Sequence, residues 1–280
     1  MLMTDFYSLP TAGLENEYLT LEYLTHAGPR IVRLIPRRLG QNLFAETPRQ
    51  QLQSPYGPFH LWGGHRLWHA PETAARTYIP DDGGLTVEPL PPSAEGEGVC
   101  LRYMEPYSGI HKEIRLRLAA DAPRVTLTHR LTNLGLWPIE LAPWAITQLK
   151  IGGTAVLPTP PESDPEALLP NRMIALWPYS RWDDPRLRLG ESVIEVLAQP
   201  LATPFKIGYL NLAGWAEYRY EGVTFRKRWT PQPERRHADY GCNVEVYASE
   251  RHLELETLGP LTRLEVGEMA EHIEVWEVEE

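Results

Sequence analysis

The chain has 280 residues and a formal net charge of −10, which argues against nucleic acids and anionic membrane surfaces as partners because both attract basic proteins. Its two cysteines, Cys100 and Cys242, stand far apart and outside any zinc-type spacing, so neither a disulfide framework nor a structural zinc site is expected. No basic and apolar leader and no long uncharged apolar run occurs, and we expect a soluble, cytoplasmic protein that uses no metal and no cofactor.

The predicted elements are strands. The composition includes 27 prolines and 21 glycines spread along the chain, which leaves few intervals long enough for a helix. Apolar and polar residues alternate at period two, the pattern of a strand with one face on a core. The alternating segments are 17–24, 113–120, 124–133, 252–258 and 272–278. We therefore predict an all-β, mostly antiparallel fold in which residues 1–280 form a single domain.

Residues 56–72 (YGPFHLWGGHRLWHAPE) concentrate histidine, tryptophan and glycine. The histidines at 60, 65 and 69 have no known zinc spacing, and we predict no metal site here. The glycine pair suits a close approach of two backbones, while His65 and Arg66 are expected to project into a cleft. The neighbouring Trp62 and Trp68 are interpreted either as stacking surface or as core.

Two later segments lack a regular pattern. Residues 81–98 predict a hairpin with a long polar loop, and residues 157–190 are long for a loop without structure of its own. Insertions of that length are usually functional or mobile. The second segment is not interpreted as a linker, because it carries Arg172, Trp177, Tyr179, Arg181 and Trp182.

Aromatic and acidic residues suggest a carbohydrate site. The chain has nine tryptophans and 13 tyrosines against five phenylalanines, and sugar sites combine flat apolar rings with polar groups around them. A large β-core would also bury such rings. Glu254 and Glu256 fall on one face of a predicted strand, and a row of carboxylates is most often a solvated face. No nucleophile motif occurs, so carboxylates and histidines offer the available catalytic chemistry.

Several segments together resemble the galactose mutarotase-like superfamily, which includes the aldose 1-epimerases. Residues 255–268 (LETLGPLTRLEVGE) are similar to its ending, residues 28–44 to its opening strand pair, and residues 125–149 to its central strands. Residues 56–68 occupy the place of the segment with the substrate-binding arginine. Within the superfamily, GGHRLWHAPE most resembles the group called domain of unknown function 4380. The resemblance implies a β-supersandwich of large antiparallel sheets with a sugar site in the concave face.

The resemblance also implies roles for individual residues. In the aldose 1-epimerases a glutamate takes the proton of the anomeric hydroxyl and a histidine protonates the ring oxygen. Glu256 matches the general base and Arg66 the substrate-binding arginine. The position of the acid histidine is occupied by Trp144, which would offer a stacking surface instead. His65, beside Arg66, is then the best candidate for the acid.

Two hypotheses follow. The favoured one is a carbohydrate-binding protein, monomeric or homodimeric, with a small-molecule sugar as partner. The alternative is an aldose 1-epimerase-like isomerase with Glu256 as base and a histidine as acid. A protein that only binds other proteins would instead show an exposed apolar patch. The predicted catalytic residues are Glu256 and His65, and the predicted binding residues are Arg66, Trp144, Trp62, Trp68, Lys206, Glu245 and His272.

Overall fold

The computed structural model describes residues 4–160, 166 and 168–279. Within them the chain forms 23 strands and one short helix, α1 (Ala74–Thr77). The first strands are β1 (Thr4–Phe6), β2 (Leu9–Glu15), β3 (Leu19–Leu24), β4 (Arg30–Pro36), β5 (Glu46–Ser54), β6 (Gly57–Gly63), β7 (His65–Ala70), β8 (Thr86–Pro89), β9 (Glu97–Met104), β10 (Ile110–Leu118), β11 (Arg124–Asn133) and β12 (Ile139–Leu149). The later strands are β13 (Thr154–Pro158), β14 (Ala175–Leu176), β15 (Leu187–Leu189), β16 (Val193–Leu197), β17 (Phe205–Tyr209), β18 (Trp215–Tyr220), β19 (Val223–Arg228), β20 (Val244–Ala248), β21 (Leu253–Leu258), β22 (Thr262–Leu264) and β23 (Met269–Glu279).

Two large antiparallel sheets dominate the structure. The 11-stranded sheet, which we call sheet A, runs β1-β2-β3-β4-β7-β12-β21-β20-β17-β14, with β22 paired to β12. The 10-stranded sheet, sheet B, runs β15-β16-β13-β18-β19-β23-β11-β10-β9-β8, and β5 with β6 forms a separate hairpin. The predicted all-β sandwich of large antiparallel sheets is confirmed.

The alternating segments of the sequence become strands of these sheets. Residues 124–133 form β11 over their full length, and its side chains alternate between buried and half-exposed. Of the segment 81–98, for which a hairpin was predicted, residues 86–89 form β8, which pairs with β9 through residues 99–102, beyond the end of that segment. Of the predicted insertion, residues 161–165 and 167 lie outside the described residues, and the rest contains the edge strands β14 and β15. No described helix has the length and apolar character needed to cross a membrane.

The facing sides of the two sheets form the main apolar core. On sheet A this core includes Leu21 and Leu255, and on sheet B it includes Leu127. Trp276 of sheet B fills the centre, with its ring 5.7 Å from that of Phe44 in an edge-on arrangement. Period-two alternation explains this layer, because every second side chain of each strand points into it.

Hydrogen bonds fix two fully buried histidines between the sheets. His129 Nδ1 lies 3.1 Å from the backbone carbonyl of His272, which only accepts, so the proton is on Nδ1. In the neutral ring His129 Nε2 is then an acceptor, and His65 Nε2 donates to it over 2.8 Å. His65 Nδ1 in turn accepts from the hydroxyl of Thr147 at 2.9 Å. Both rings are therefore satisfied in the neutral form.

A buried ion pair lies beside these histidines. Lys227 Nζ is 3.0 Å from Glu274 Oε1, and Trp276 Nε1 donates to Glu274 Oε2 over 2.8 Å. The hydroxyl of Thr257 also donates to Glu274 and accepts from His272 Nε2 at 2.7 Å. Burial alone would raise the pKa of Glu274, but Lys227 holds that pKa well below its usual value. Burial lowers the pKa of His272 to about 3.

Acid should therefore destabilise the protein through its buried histidines. The unfolded chain binds a proton at His272 below about pH 6.5, whereas the folded chain does so only near pH 3, so stability falls as the pH falls through that window. We expect His272→Gln to reduce the pH dependence of the unfolding free energy by about 1.4 kcal/mol per pH unit in this window. Urea denaturation across a pH series measures this pH dependence of the unfolding free energy. Equal slopes for wild type and a folded His272→Gln protein would contradict the prediction.

Candidate functional site

The outer face of sheet A carries a group of charged and aromatic side chains. They come from β7, β12, β21, β20 and β17, which are neighbours in the sheet. Alternation sends one set of residues from each strand into the core and the other set outward. On β7, Leu67 joins the core between the sheets, whereas Trp68 joins a second apolar cluster on the outer face.

Two glycines allow the chain to turn from β6 into β7. Gly63 and Gly64 both have positive φ, and they join β6 to β7. A Cβ atom on Gly63 would lie 2.1 Å from the carbonyl oxygen of Ala45, and one on Gly64 would lie 2.1 Å from that of Ile31. Close backbone approach, as predicted, is thus the reason for glycine at both positions.

A cavity of about 370 Å³ lies on this outer face. Its floor is the sheet itself, and its walls come from other parts of the chain. The hairpin of β5 and β6 contributes Gln50, Leu52 and Leu61, while Tyr78 follows α1 and Tyr179 belongs to the insertion. The insertion, which was not interpreted as a linker, thus contributes one side chain to the cavity.

The first polar group of the cavity, the arginine centre, consists of Arg66, Glu254, Gln148 and His252. Arg66 Nη2 donates to Glu254 Oε1 over 2.8 Å, and Gln148 Nε2 donates to the same oxygen over 2.8 Å. Burial alone would raise the pKa of Glu254, but Arg66 and then His252 lower it well below its usual value. Glu254 therefore stays ionised and acts as a hydrogen-bond acceptor. Arg66 Cζ lies 4.1 Å from the ring centroid of Trp68.

The second polar group, the lysine centre, consists of Lys206, Glu245 and Glu256. Lys206 Nζ lies 2.6 Å from Glu245 Oε2 and 2.9 Å from Glu256 Oε2. It also lies 4.6 Å from the ring centroids of both Trp144 and Trp177. Trp144 Nε1 donates to Glu256 Oε2 over 2.7 Å. The two tryptophan rings thus lie beside a cation that also contacts two carboxyl groups.

The lysine centre holds two carboxyl groups beside one ammonium group. Burial raises the pKa of Glu245 and of Glu256, although Lys206 opposes both shifts. The two carboxylates face each other across β20 and β21 and compete for one cation. Burial lowers the pKa of Lys206, but the two carboxylates more than reverse this, so the ammonium group keeps its charge.

The structure brings most of the predicted site residues together. Arg66, Trp68, Trp144 and Lys206 line the cavity. Glu245 and Glu256 lie directly behind Lys206, both fully buried.

Three predicted residues lie elsewhere. His65 points into the layer between the sheets, because it neighbours Arg66 on β7 and adjacent residues of a strand face opposite sides. His272 lies on β23 of sheet B and contacts Thr257. Trp62 has a φ of 58° and its indole nitrogen lies 3.4 Å from Asp82, outside the cavity lining.

Several cavity residues were not predicted. A row of carboxylates was expected to be a solvated face, and for Glu254 that expectation is wrong, because it is buried and lines the cavity. His252, Tyr78 and Tyr247 also line the cavity. The available signal was the spacing of His252, Glu254 and Glu256, which places all three side chains on the same side of an extended segment.

One trio of described side chains has the donor set of a metal site. The ligand atoms of His65, His129 and Glu274 lie within 4.8 Å of one another. Each of these atoms already has a protein partner, and the ammonium group of Lys227 is 3.0 Å from the carboxylate. A nearby cation opposes the binding of a second cation, so the hydrogen-bond network explains this trio without an ion.

The sequence matches no protein-family model and no curated protein. The fold, in contrast, is similar to that of many solved structures. A TPR-domain containing protein from Parabacteroides distasonis has a TM-score of 0.67 at 11% identity, and the match covers 96% of this chain and 47% of that one. The chain therefore spans about half the length of that protein.

Two further structures match over most of both chains. A galactose mutarotase-like protein from Lactobacillus casei has a TM-score of 0.57 at 10% identity, with 96% of this chain and all of that chain covered. A candidate aldose 1-epimerase from Klebsiella pneumoniae has a TM-score of 0.63 at 10% identity, with 99% and 81% covered. The chain thus has the fold of the galactose mutarotase-like proteins.

Proposed function

We propose that the protein binds a carbohydrate in the cavity on the outer face of sheet A. The observation that carries the proposal is the meeting of two charged centres and several aromatic side chains in one cavity. A volume of about 370 Å³ suits a small polar ligand. The mutarotase-like fold supports a sugar-related role.

The cavity offers the two kinds of contact that a sugar needs. Tyr179 is 40% exposed and offers a ring for the apolar face of a sugar, while the buried rings of Trp68 and Trp144 line the cavity beside Arg66 and Lys206. Glu254 offers an ionised acceptor, while Arg66 Nε and Nη1 are buried donors without a partner among the described residues. A sugar hydroxyl group can donate and accept hydrogen bonds, so it can donate to Glu254 and accept from Arg66.

Charge pairing holds the polar side chains of the cavity in place before a ligand binds. Each cation of the cavity contacts at least one carboxylate, and Arg66, Lys206 and Glu256 are almost fully buried. Buried side chains in such pairs have few alternative rotamers. A ligand then loses less free energy to ordering the protein when it binds.

The alternative is an aldose 1-epimerase-like enzyme with Glu256 as base. In its favour, burial raises the pKa of Glu256, which makes its ionised form a stronger base. The positions of the candidate acid histidines argue against this alternative. His65 lies behind the sheet, and His252, the histidine among the described cavity residues, is four residues from Glu256, or about 13 Å along an extended chain. Both groups must reach one sugar ring, and this separation favours binding over turnover.

Polarimetry separates the two functions. We expect the protein to leave the mutarotation rates of fresh α-glucose and α-galactose unchanged, because His252, the histidine among the described cavity residues, lies about 13 Å from Glu256 along the extended strand. Acceleration by wild type together with a loss of about 100-fold or more in Glu256→Gln would instead establish the enzymatic alternative.

Binding should depend on the charge of Glu254. The variant Glu254→Gln keeps the shape of the side chain but loses its ionised acceptor, so affinity for a bound sugar should fall about 10-fold or more. Saturation-transfer NMR against a panel of monosaccharides, oligosaccharides and uronates identifies the ligand, and calorimetry measures the change.

The matched control is Glu250→Gln, which removes a carboxylate from an exposed position beside Arg251. Its affinity should equal that of wild type. Absence of binding to every member of the panel would refute the proposed function. Equal affinities for wild type and a folded Glu254→Gln protein would remove Glu254 from the site.

A further inference from the structure

We propose that sheet B binds an extended peptide segment of a partner protein as an added strand, along the part of β23 between Met269 and Ile273. This second site lies apart from the cavity on sheet A and goes beyond carbohydrate binding. The proposal rests on backbone groups of β23 that lack a neighbouring strand, on a cavity beside them and on an unpaired indole donor in that cavity.

β23 has a neighbouring strand on both sides along only part of its length. On one side, β11 pairs with it from Glu277 to Met269. On the other side, β19 pairs with it from Glu279 only as far as Val275. Because β19 is the neighbour of β23 on that side in the sheet order, residues 269–274 have no partner there among the described strands. We call these residues the open stretch, an edge inside a 10-stranded sheet.

The sequence after β19 explains why the pairing stops. Residues 230–234 read TPQPE, and proline has no N–H group to donate to a ladder, so this segment does not continue a central strand. In the register of β19, Pro231 would lie opposite His272. No backbone hydrogen bond joins residues 229–234 to the open stretch in the part of the chain that the structure describes. The chain therefore leaves the sheet here and exposes the edge of β23.

Two hydrogen bonds show which way the peptide groups of β23 point. Val278 N donates to the carbonyl of Pro123 over 3.0 Å, and the carbonyl of Glu268 accepts from Asn133 N at 2.9 Å. Both partners lie at the ends of β11, so the even-numbered residues along β23 direct their N–H and C=O groups to the β11 side. The groups of successive residues alternate in an antiparallel ladder, and the odd-numbered residues therefore point to the β19 side.

Glu271 and Ile273 are odd-numbered residues of the open stretch. Their backbone N–H and C=O groups point away from β11 and have no hydrogen-bond partner among the described residues. The two residues are about 7 Å apart along the strand. An extended peptide presents donors and acceptors at this same repeat, and main-chain hydrogen bonds of this kind supply the affinity in strand addition. The edge therefore matches a peptide backbone.

A cavity of about 320 Å³ lies beside this edge. Trp229, Thr230 and Gln232 form one wall, and the other wall is β23 around Glu271 and Ile273. In the register of β19, Thr230 and Gln232 would lie opposite these two residues, so the cavity takes the place of the missing ladder. Its volume is at the lower end of the range for ligand sites, about 300–1,000 Å³. That space suits a short peptide segment.

The cavity beside β23 contains an unpaired donor and an unpaired acceptor. Trp229 is 7% exposed, and its Nε1 is buried without a hydrogen-bond partner within the described chain. His272 Nε2 donates to Thr257, so Nδ1 of the neutral ring is an acceptor, and no described residue donates to it. An amide or hydroxyl side chain both donates and accepts, whereas burial of a charged side chain is costly. We therefore expect an asparagine, glutamine, serine or threonine to enter the cavity.

Alternation gives the position of that polar residue in the added strand. Residues directly opposite each other on neighbouring strands point to the same face, and His272 points inward, so the polar residue lies opposite His272. The residue before it lies opposite Ile273, which is 46% exposed on the outer face, where a β-branched side chain would pack against it. The expected ligand, running in the direction of β19, is therefore an extended segment with a β-branched residue followed by an uncharged polar one.

NMR with a capped peptide tests the proposal. The probe is acetyl-Thr-Val-Asn-Thr-Ser-amide, whose valine should lie opposite Ile273 and whose asparagine should enter the cavity. Titrated into isotope-labelled protein, it should cause saturable shifts of the backbone amide signals of Glu271 and Ile273 and of the indole signal of Trp229. No saturable shift, or shifts confined to the cavity on sheet A, would overturn the proposal. Dimerisation of the protein through this edge, seen by ultracentrifugation without peptide, would assign the edge to a second copy of the chain and would also overturn it.

Methylation of single peptide nitrogens separates strand addition from other binding modes. In the added strand the N–H of the valine points to β23, and the N–H of the asparagine points away from it. Methylation of the valine nitrogen should therefore weaken binding about 10-fold or more. Methylation of the asparagine nitrogen is the matched control and should leave the affinity nearly unchanged. Equal affinities of the two methylated peptides would contradict strand addition.

The variant Trp229→Phe removes the indole N–H and keeps an aromatic ring. It should weaken binding of the asparagine peptide about 5-fold and leave unchanged the affinity for an analogue with leucine in place of asparagine. The control is Trp182→Phe, at a residue that is 78% exposed and lies outside this cavity, and it should change neither affinity. Equal affinities of wild type and a folded Trp229→Phe protein for the asparagine peptide would contradict the proposed ligand.

Discussion

The site depends on the alternation of side chains along β7, β12 and β21, because alternation decides which residues face the layer between the sheets and which face the cavity. One step along β7 moves from His65, in the layer between the sheets, to Arg66, in the cavity. The same step along β21 moves from Thr257, which contacts His272, to Glu256, which contacts Lys206. Three adjacent strands thus give two chemically separate polar layers on the two sides of a single sheet.

The two polar layers affect different properties of the protein, its stability and its cavity. Between the sheets, neutral histidines and the Lys227–Glu274 pair are satisfied by one another, which links their protonation to stability. On the outer face, Arg66 Nε and Nη1 have no hydrogen-bond partner within the part of the chain that the structure describes, and Glu254 offers an ionised acceptor at the cavity wall. Removing one member of a buried pair typically costs about 3–5 kcal/mol, so these pairs also fix the shape of the cavity. The proposed binding function therefore depends on the outer face, where the insertion and the β5–β6 hairpin contribute residues to the cavity.

Much of the fold could be predicted from alternation alone, because β11 and β23 have one core face and one half-exposed face. The strands of the site are different. Every residue of β7 and of β21 is buried, so their hydropathy does not reveal which face lines a cavity. This is why His65 was expected to project into the same cleft as Arg66. It is also why Glu254 was expected on a solvated face. Tyr179 reaches the cavity through the insertion, a contact that no local pattern contains.

The most direct test of the account follows the indole N–H signals of tryptophan by NMR while a bound sugar is titrated. The account predicts that Trp68 and Trp144, which line the cavity, shift, and that the exposed Trp137 and Trp182 do not. Individual Trp→Phe variants assign the signals. Shifts confined to Trp137 or Trp182 would place the sugar elsewhere on the surface and contradict a binding site on the outer face of sheet A.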